Sequence, residues 1–249
     1  MLSISSACGC NIGRVRSNNE DNLFFNGTVL PMINRGLPNP LSFSTQLSSP
    51  IHFGVFDGMG GEAQGELASY IAASELRNAS DTSSADDMLT VLHQANSQIC
   101  KEAHHRGCGV IGTTAAILSI NSTSVCAVNV GDSKIYRLRN GVMTQVSTDH
   151  TDKALLDRCG IQGRKPRLTQ HLGIDPSEMI IEPAVWKDTV CTGDCFLICS
   201  DGLTDMLSEH EISAILFATQ PVDCVDMLIN RALQNSGRDN VTTIVVKIV

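Results

Sequence analysis

Apolar residues recur every three or four positions in two stretches of the first half of the chain, and this spacing predicts two amphipathic helices. The residues that carry the pattern are Ala63, Leu67 and Ile71 in the first stretch, and Met88, Leu92, Ala95 and Ile99 in the second. The polar residues 81–86 between them predict a turn, with Ser84 or Asp86 as the N-cap of the second helix.

After residue 112 the pattern becomes that of β-strands. Apolar, β-branched runs bounded by turn residues occupy 113–120, 125–130 and 134–139. Asn140-Gly141 follows the last of these runs and predicts a tight hairpin, because both residues accept the positive φ that such turns need.

The last third of the chain predicts another strand, two helices and a closing strand. An apolar run ends at Cys199, helical spacing covers about 208–218 and 222–234, and the continuous apolar run 242–249 predicts a strand buried on both faces. Strands and helices therefore occur in separate groups, which favours an α+β fold of packed layers over an alternating parallel sheet.

Short apolar strands are predicted at 23–25 and 53–56. The connection between them, about 26–50, is rich in Pro, Asn and Ser, and we expect it to be a surface excursion and not a domain boundary. With 249 residues in total, the chain is predicted to form a single domain over 1–249.

Composition narrows the class of protein. The chain has 18 basic and 26 acidic residues, a net charge of −8, and this acidity argues against a nucleic-acid partner. No apolar stretch approaches the length of a membrane span, and the N-terminus lacks a basic segment followed by an apolar run. We therefore expect a cytoplasmic protein with no membrane partner.

The sequence contains 10 cysteines. Paired C-x-x-C knuckles of the kind that bind zinc are missing, and without an export signal a disulfide framework is not expected. Most of the cysteines are interpreted as small buried hydrophobes, and Cys8 and Cys10 as a candidate reactive pair near the N-terminus.

Carboxylates repeatedly follow or adjoin apolar β-like runs, next to Gly or Asn. These groups are Glu20-Asp21-Asn22, Asp57-Gly58, Gly131-Asp132-Ser133, Asp201-Gly202 and Asp239-Asn240. Carboxylates that converged in one cleft would repel one another unless a cation lay between them, and oxygen ligands are those that Mg2+ and Mn2+ prefer. Each Asp-Gly taken alone is better explained as a turn, so convergence is a hypothesis that rests on the joint pattern.

The motifs around these acids resemble those of the metal-dependent serine/threonine protein phosphatases, the PPM family (type 2C), in its compact bacterial form. The matching segments follow the family order along nearly the whole chain: GRVRSNNEDN from Gly13, FGVFDGMGGEAQGELAS from Phe53, GTTA from Gly112, VNVGDSKIYRLRNG from Val128, STDHT from Ser147, CSDGLTDMLS from Cys199 and RDNVT from Arg238.

The resemblance implies a central antiparallel β-sandwich flanked by pairs of α-helices, with a dinuclear metal site at one end. It implies that Asp57 bridges two divalent cations, Mn2+ or Mg2+, that Asp201 and Asp239 complete the first site, and that the Gly58 carbonyl helps to hold the second. Glu20 and Asp21 both fit the remaining ligand position of the second cation. Asp132 together with Asp201 matches a third, weaker position.

The implied reaction is hydrolysis of phosphoserine and phosphothreonine in proteins by a metal-bridging water, with no phosphoenzyme. Arg16 is the expected phosphate-binding guanidinium, because its fork can hold two phosphoryl oxygens. The expected partners are phosphorylated proteins, themselves substrates of a serine/threonine kinase, and the expected state is a monomer. Alternatives are a phosphatase dedicated to an anti-sigma-factor antagonist and an inactive binding module with the same fold.

Some positions depart from the family pattern. Met59 stands where eukaryotic relatives carry a His proposed as general acid, as it does in bacterial members, so the acid is unassigned. The segment 152–173 corresponds to the family's flap, and its basic residues Arg164, Lys165 and Arg167 either steer an acidic phosphopeptide or form a solvated loop. His150 and His171 are interpreted as structural residues.

Overall fold

Two antiparallel β-sheets lie face to face in the computed structural model, which describes residues 2–60, 64–79, 85–107, 109–217 and 220–249. The first sheet has the strand order β10 (Val142–Gln145), β9 (Lys134–Arg139), β12 (Cys195–Cys199), β13 (Val241–Ile248), β1 (Ser3–Asn11) and β4 (Leu41–Gln46). The second has the order β11 (Ala184–Thr189), β8 (Ser124–Val130), β7 (Ala115–Ile120), β5 (Ile51–Gly60), β2 (Asp21–Phe25) and β3 (Thr28–Val29), with β6 (Ile111–Thr113) paired to β5.

Helices cover the outer face of each sheet. Those on the second sheet are α1 (Gly65–Asn78) and α2 (Ala85–Arg106), and those on the first are α4 (Asp201–Thr204), α5 (Glu209–Leu216) and α6 (Pro221–Gln234). The short helix α3 (Lys153–Arg158) lies in the flap-like segment. Among the described residues, no helix has the length and apolarity that crossing a bilayer requires.

Strand β2 shows why both faces of a sheet are apolar here. Leu23 and Phe25 point into the core between the sheets, where the rings of Phe25 and Phe53 lie 5.8 Å apart, while Phe24 points outward to the helices. Burying a side chain of this size contributes about 1.5–3 kcal/mol. Alternating residues thus stabilise two different layers, and the α+β sandwich flanked by helices is confirmed.

Most predicted elements are present with small shifts in their ends. The hairpin at Asn140-Gly141 has positive φ at both residues, 52° and 81°. The helix predicted over 208–218 begins at Glu209 after a capping box in which Ser208 and Glu211 satisfy each other's backbone amides. Ala63 and Ser84 lie outside the described residues, and Asp86 lies inside α2 and not before it.

Strand β1 was not predicted, because its small residues carry little hydrophobic signal. It pairs with β13 on one side and β4 on the other, so it is central in the first sheet. Gly9 in this strand has no side chain, and a Cβ there would lie 2.5 Å from Ile229 of α6. Small residues therefore allow α6 to pack close to the strand, a tertiary requirement that periodicity does not reveal.

The interpretation of Cys8 and Cys10 as a reactive pair is wrong. Both thiols are buried in β1, and burial raises the pKa of each, that of Cys10 to about 12. A thiol that is protonated at neutral pH is a poor nucleophile. Both residues act as core side chains.

The predicted surface excursion 26–50 is only partly one. Its residues Leu41–Gln46 form β4, which pairs with β1 and completes the edge of the first sheet. Leu30 and Leu47 are buried in the core between the sheets. The segment therefore returns to the sandwich, although its Pro and Asn content is typical of a loop.

Candidate active site

The predicted site residues come from separate elements and meet at one end of the sandwich. Arg16 and Glu20 lie between β1 and β2, Asp57 and Gly58 within β5, Asp132 between β8 and β9, Asp201 at the start of α4, and Asp239 just before β13. All of them line one cavity of about 510 Å³, which we call the acidic recess; its lining residues are Arg16, Glu20, Asp57, Gly58, Asp132, Asp201 and Asp239, with Met59, Thr114, Lys165 and His171 among the others. The convergence that the sequence left open is therefore present.

Asp57 lies within a strand, whereas the sequence predicted a strand that ended at Phe56. Its backbone is fixed by Thr114, whose N–H donates to the Asp57 carbonyl at 2.9 Å and whose Oγ1 accepts from the Asp57 N–H at 3.0 Å. The strand continues through Gly58 to Gly60 by pairing with β6. The carboxylate is thus held on rigid backbone at the base of the acidic recess.

Gly58 must be glycine because backbone groups of other elements approach it closely. Its N–H donates to the Glu20 carbonyl at 3.1 Å, and a Cβ at this position would overlap both that oxygen and the carbonyl oxygen of Gly65. The three segments that meet here are the end of the β1–β2 loop, β5 and the first turn of α1.

The sequence left open whether Glu20 or Asp21 is the direct metal ligand, and the two side chains lie in different surroundings in the structure. The Glu20 side chain lines the acidic recess, close to the first residue of α1, Gly65. Asp21 is buried, with 1% of its surface exposed, and lies directly opposite Asp57 in the pairing of β2 with β5. Glu20 therefore contributes its side chain to the wall of the recess, and the buried Asp21 does not.

Hydroxyl groups hold the buried Asp21 carboxylate from one side. Ser200 Oγ and Thr242 Oγ1 both donate to Asp21 Oδ2, at 2.8 and 2.7 Å. The other oxygen, Oδ1, is buried and has no hydrogen-bond partner. A buried carboxylate oxygen without a donor is costly, which indicates that this oxygen is suited to a cation or to a water held by one.

The carboxylates in the acidic recess are close enough to change one another's ionisation. Burial, followed by the charges of Asp21 and Asp201, raises the pKa of Asp57 well above its ordinary value. Burial and the charge of Asp201 raise the pKa of Asp132 to about 6. Acids of this kind hold protons when no other cation is near, and a divalent cation that binds them must displace those protons.

Basic side chains neutralise the two outer aspartates. Arg16 Nη2 donates to Asp239 Oδ2 at 2.7 Å, and Lys165 Nζ donates to Asp201 Oδ2 at 2.8 Å. Among the described residues, no three His, Cys, Asp or Glu side chains are drawn together as tightly as metal ligands are. The acids line a common cavity but lie farther apart than metal ligands do. Repulsion between their like charges, and their pairing with Arg16 and Lys165, account for this separation.

Asn240 organises the loop that carries Arg16 and Glu20, a role that sequence reasoning missed. Its Nδ2 donates to the carbonyls of Ile12 and Asn18, at 2.8 and 3.0 Å, and its Oδ1 accepts from the Glu20 N–H at 2.8 Å. The position of Asn240 beside Asp239 in the RDNVT motif is the feature of the sequence that could have indicated this role. Thr114, Ser200 and Thr242 were missed in the same way, although each lies in a recognised motif.

Comparison with known proteins identifies the family. The profile of the Protein phosphatase 2C family matches residues 9–158, which contain most of the site. The chain belongs to the Protein phosphatase 2C family.

Curated members of the Protein phosphatase 2C family match most of this chain. The serine/threonine protein phosphatase PstP of Mycobacterium tuberculosis is 28% identical over 95% of this chain, and the serine/threonine phosphatase stp of Listeria innocua is 31% identical over 94% of it. This chain spans 43% of the length of that PstP and 92% of the length of stp.

Solved structures share the same architecture. PppA of Pseudomonas aeruginosa superposes with a TM-score of 0.82, 28% identity and coverage of 99% of this chain and 100% of that one. The catalytic domain of PstP in complex with two manganese ions has a TM-score of 0.79 and 27% identity, with both chains covered fully at 100%.

The remaining polar residues near the acidic recess have structural partners. His150 Nδ1 accepts from the Gly131 N–H at 3.0 Å, and burial lowers the pKa of this His, so it is a neutral acceptor that fixes the turn before Asp132. His171 Nδ1 is 2.9 Å from the Leu172 carbonyl oxygen. Both contacts agree with the structural interpretation of these residues.

Proposed function

We propose that this chain hydrolyses phosphoserine and phosphothreonine in proteins, with two divalent cations, Mn2+ or Mg2+, as cofactors. The observation that carries the proposal is the acidic recess itself, where five carboxylates from separate segments of the chain and a guanidinium share one cavity. The PstP catalytic domain with two manganese ions, which has the same fold, supports the cofactor assignment. The acidic side chains of the recess offer carboxylate oxygens, which suit hard cations.

Asp57 is the residue we assign to both cations, because it lies at the base of the acidic recess with the other acids around it. Asp201 and Asp239 would complete one site, and Glu20 and the Gly58 carbonyl the other. When bound, the cations supply Lewis-acid activation of water and neutralise charge on the phosphoryl group. Arg16 would have to release Asp239 Oδ2 to the cation, whereas Asp201 could bind through Oδ1 while its Oδ2 stays with Lys165.

Asp21 is assigned to the layer beneath Glu20. Its Oδ2 is saturated by Ser200 and Thr242, and its unpartnered Oδ1 is the atom left to orient a ligand of the second cation. We therefore infer that Glu20 is the direct ligand of the pair and that Asp21 positions the site from below.

Arg16 is assigned to the phosphoryl group of the substrate. Its side chain is 47% exposed and lines the acidic recess, so a phosphate entering from solvent can reach it. The guanidinium fork can accept two phosphoryl oxygens, and a dianion competes well with the single carboxylate oxygen that Arg16 contacts.

The substrates on this proposal are proteins phosphorylated by a serine/threonine kinase, and the enzyme acts as a monomer in the cytoplasm. The free thiols of the described cysteines are in keeping with a reducing compartment. The names of the mycobacterial and listerial relatives support the substrate class.

Metal-dependent turnover tests the proposed function. We expect hydrolysis of p-nitrophenyl phosphate and of a phosphothreonine peptide to rise with added Mn2+ and to disappear with EDTA, with phosphate release as the measurement. Turnover of neither substrate at any Mn2+ concentration would overturn the proposal.

Replacement of Thr242 by Val tests the role of Asp21. Thr242→Val removes one donor from Asp21 Oδ2 and keeps the side-chain shape, so the carboxylate is ionised less readily. We expect Mn2+ affinity, measured by isothermal titration calorimetry, to fall about 10-fold or more. Thr243→Val is the matched control: the Oγ1 of this neighbouring buried residue has no partner, and Mn2+ affinity should not change. Equal affinity in both variants would remove Asp21 from the site.

A further inference from the structure

Lys165 is the feature of the site that the proposed function does not use. Its ammonium donates to Asp201 Oδ2 and to Asp205 Oδ2, both at 2.8 Å. The lysine side chain is 59% exposed, whereas that of Asp201 is only 17% exposed. Lys165 therefore places a positive charge from the flap-like segment on an acid that belongs to the acidic recess.

The loop around Lys165 is tied down by one residue. Asp152 Oδ2 accepts from Arg164 Nη2 at 2.9 Å, and Asp152 Oδ1 accepts from the Arg167 N–H at 2.7 Å. The Asp152 N–H donates to the Arg167 carbonyl at 2.9 Å. The residues on both sides of Lys165 are thus held against the start of α3, and the ammonium is delivered to Asp201 by backbone that is already positioned.

Lys165 also separates two cavities. Beside the acidic recess lies a second cavity of about 450 Å³, which we call the side recess; it is lined by Lys134, Asp149, Lys153, Asp205 and others. Asp132, Lys165, Pro166 and Asp201 line both. Lys165 therefore lies at the boundary of the two cavities beside both Asp132 and Asp201.

Asp132 and Asp201 are the acids that the family resemblance assigns to a third, weaker cation. Asp201 Oδ2 is the oxygen that Lys165 contacts. A tethered group competes with a free ion as though it were present at an effective concentration on the order of millimolar. A weakly held third cation is therefore at a disadvantage against an ammonium that the fold holds in place.

We propose that Lys165 takes the place of the third cation, so that this chain binds two divalent ions where Asp132 and Asp201 would otherwise allow a third. The inference rests on the proposed function, since it requires the two-cation site. It makes Lys165 a residue that determines metal stoichiometry, and it assigns to the flap-like segment a role at the metal site.

Counting bound Mn2+ tests this inference without an activity measurement. Equilibrium dialysis against Mn2+ followed by elemental analysis should give two ions per wild-type chain and three per Lys165→Met chain. In calorimetry, a third, weaker binding event should appear with the variant and be absent with the wild type. The double variant Lys165→Met/Asp132→Asn should return to two, because it lacks one acid of the third position.

Lys153→Met is the matched control. Lys153 is an exposed lysine of α3 that lines the side recess, and its removal should leave the count at two. Three ions on the wild type, or two on Lys165→Met, would overturn the role of Lys165 and leave the proposed function intact. Fewer than two on the wild type would contradict the proposed function itself. Thermal unfolding of each variant separates a lost site from a lost fold.

Discussion

Replacing Asp57 by Asn should lower Mn2+-dependent kcat/KM by about 1,000-fold or more, the largest effect expected for any single substitution in this chain. Asp57 is the acid assigned to both cations, and it lies at the base of the acidic recess on backbone fixed by Thr114. The change keeps the size of the side chain and removes its charge. Both cations would lose affinity, so the reaction would lose its Lewis acids together.

The same variant should be no less stable than the wild type when metal is removed. The pKa of Asp57 is raised in the folded protein, so the folded state holds the proton more tightly than the unfolded chain does. As pH rises above the unfolded value and through the folded one, ionisation of Asp57 therefore costs stability, and a neutral Asn avoids this cost at neutral pH. Added Mn2+ should raise the Tm of the wild type and not that of Asp57→Asn.

Asp226→Asn provides the control for this experiment. Asp226 is an exposed acid of α6, remote from the acidic recess, so its loss should change neither turnover nor the response of Tm to Mn2+. Retention of metal-dependent activity by Asp57→Asn would show that the cations are held by the other acids, and would remove Asp57 from its central role.

Replacing Arg16 by Ala should lower kcat/KM on the order of 100-fold, mainly through a higher KM. The guanidinium is assigned to the phosphoryl oxygens, and charge-assisted bonds of this kind contribute about 1.5–3 kcal/mol each. Mn2+ affinity should stay the same or increase, because Arg16 pairs with Asp239 and its removal frees that carboxylate. Arg16→Lys keeps the charge but not the forked guanidinium, so its KM should lie between those of the wild type and Arg16→Ala.

Arg14→Ala is the matched control for Arg16→Ala. Arg14 is an exposed arginine of the same loop, and its backbone N–H rather than its side chain ties the loop to Gly237. Steady-state kinetics and calorimetry should both be unchanged. If Arg16→Ala instead lost Mn2+ binding, Arg16 would be a residue that assembles the carboxylates and not one that holds the substrate.

Several features of the site could be predicted because they are local or belong to short motifs. The Asn140-Gly141 hairpin, the helix predicted from about 208 and the closing strand predicted over 242–249 each depend on residues close in sequence, and all three are present. The acids Asp57, Asp132, Asp201 and Asp239 were recognised because each adjoins an apolar strand and a Gly or Asn. Their convergence in one cavity agrees with the family resemblance, which placed them in one site.

Other features could not be predicted because they depend on pairing between distant segments. Strand β1 consists of small residues that are central only because β13 and β4 lie on either side, and Gly9 is needed only because α6 packs there. The contacts of Lys165 with Asp201 and Asp205 join positions that are far apart in sequence, through a loop with no periodic pattern.

The sequence by itself determined which residue types could do chemistry here: the acids, the guanidinium of Arg16 and the order of motifs that contain them. Only the tertiary structure decided where the two neighbouring acids lie. The Glu20 side chain lines the recess, whereas the Asp21 carboxylate is buried and accepts hydrogen bonds from Ser200 and Thr242. The physical reason is that composition sets the charge of a segment, and the spacing of its apolar residues sets whether it forms a helix or a strand. The direction in which a side chain points, and what it meets there, depend on how separate elements pack.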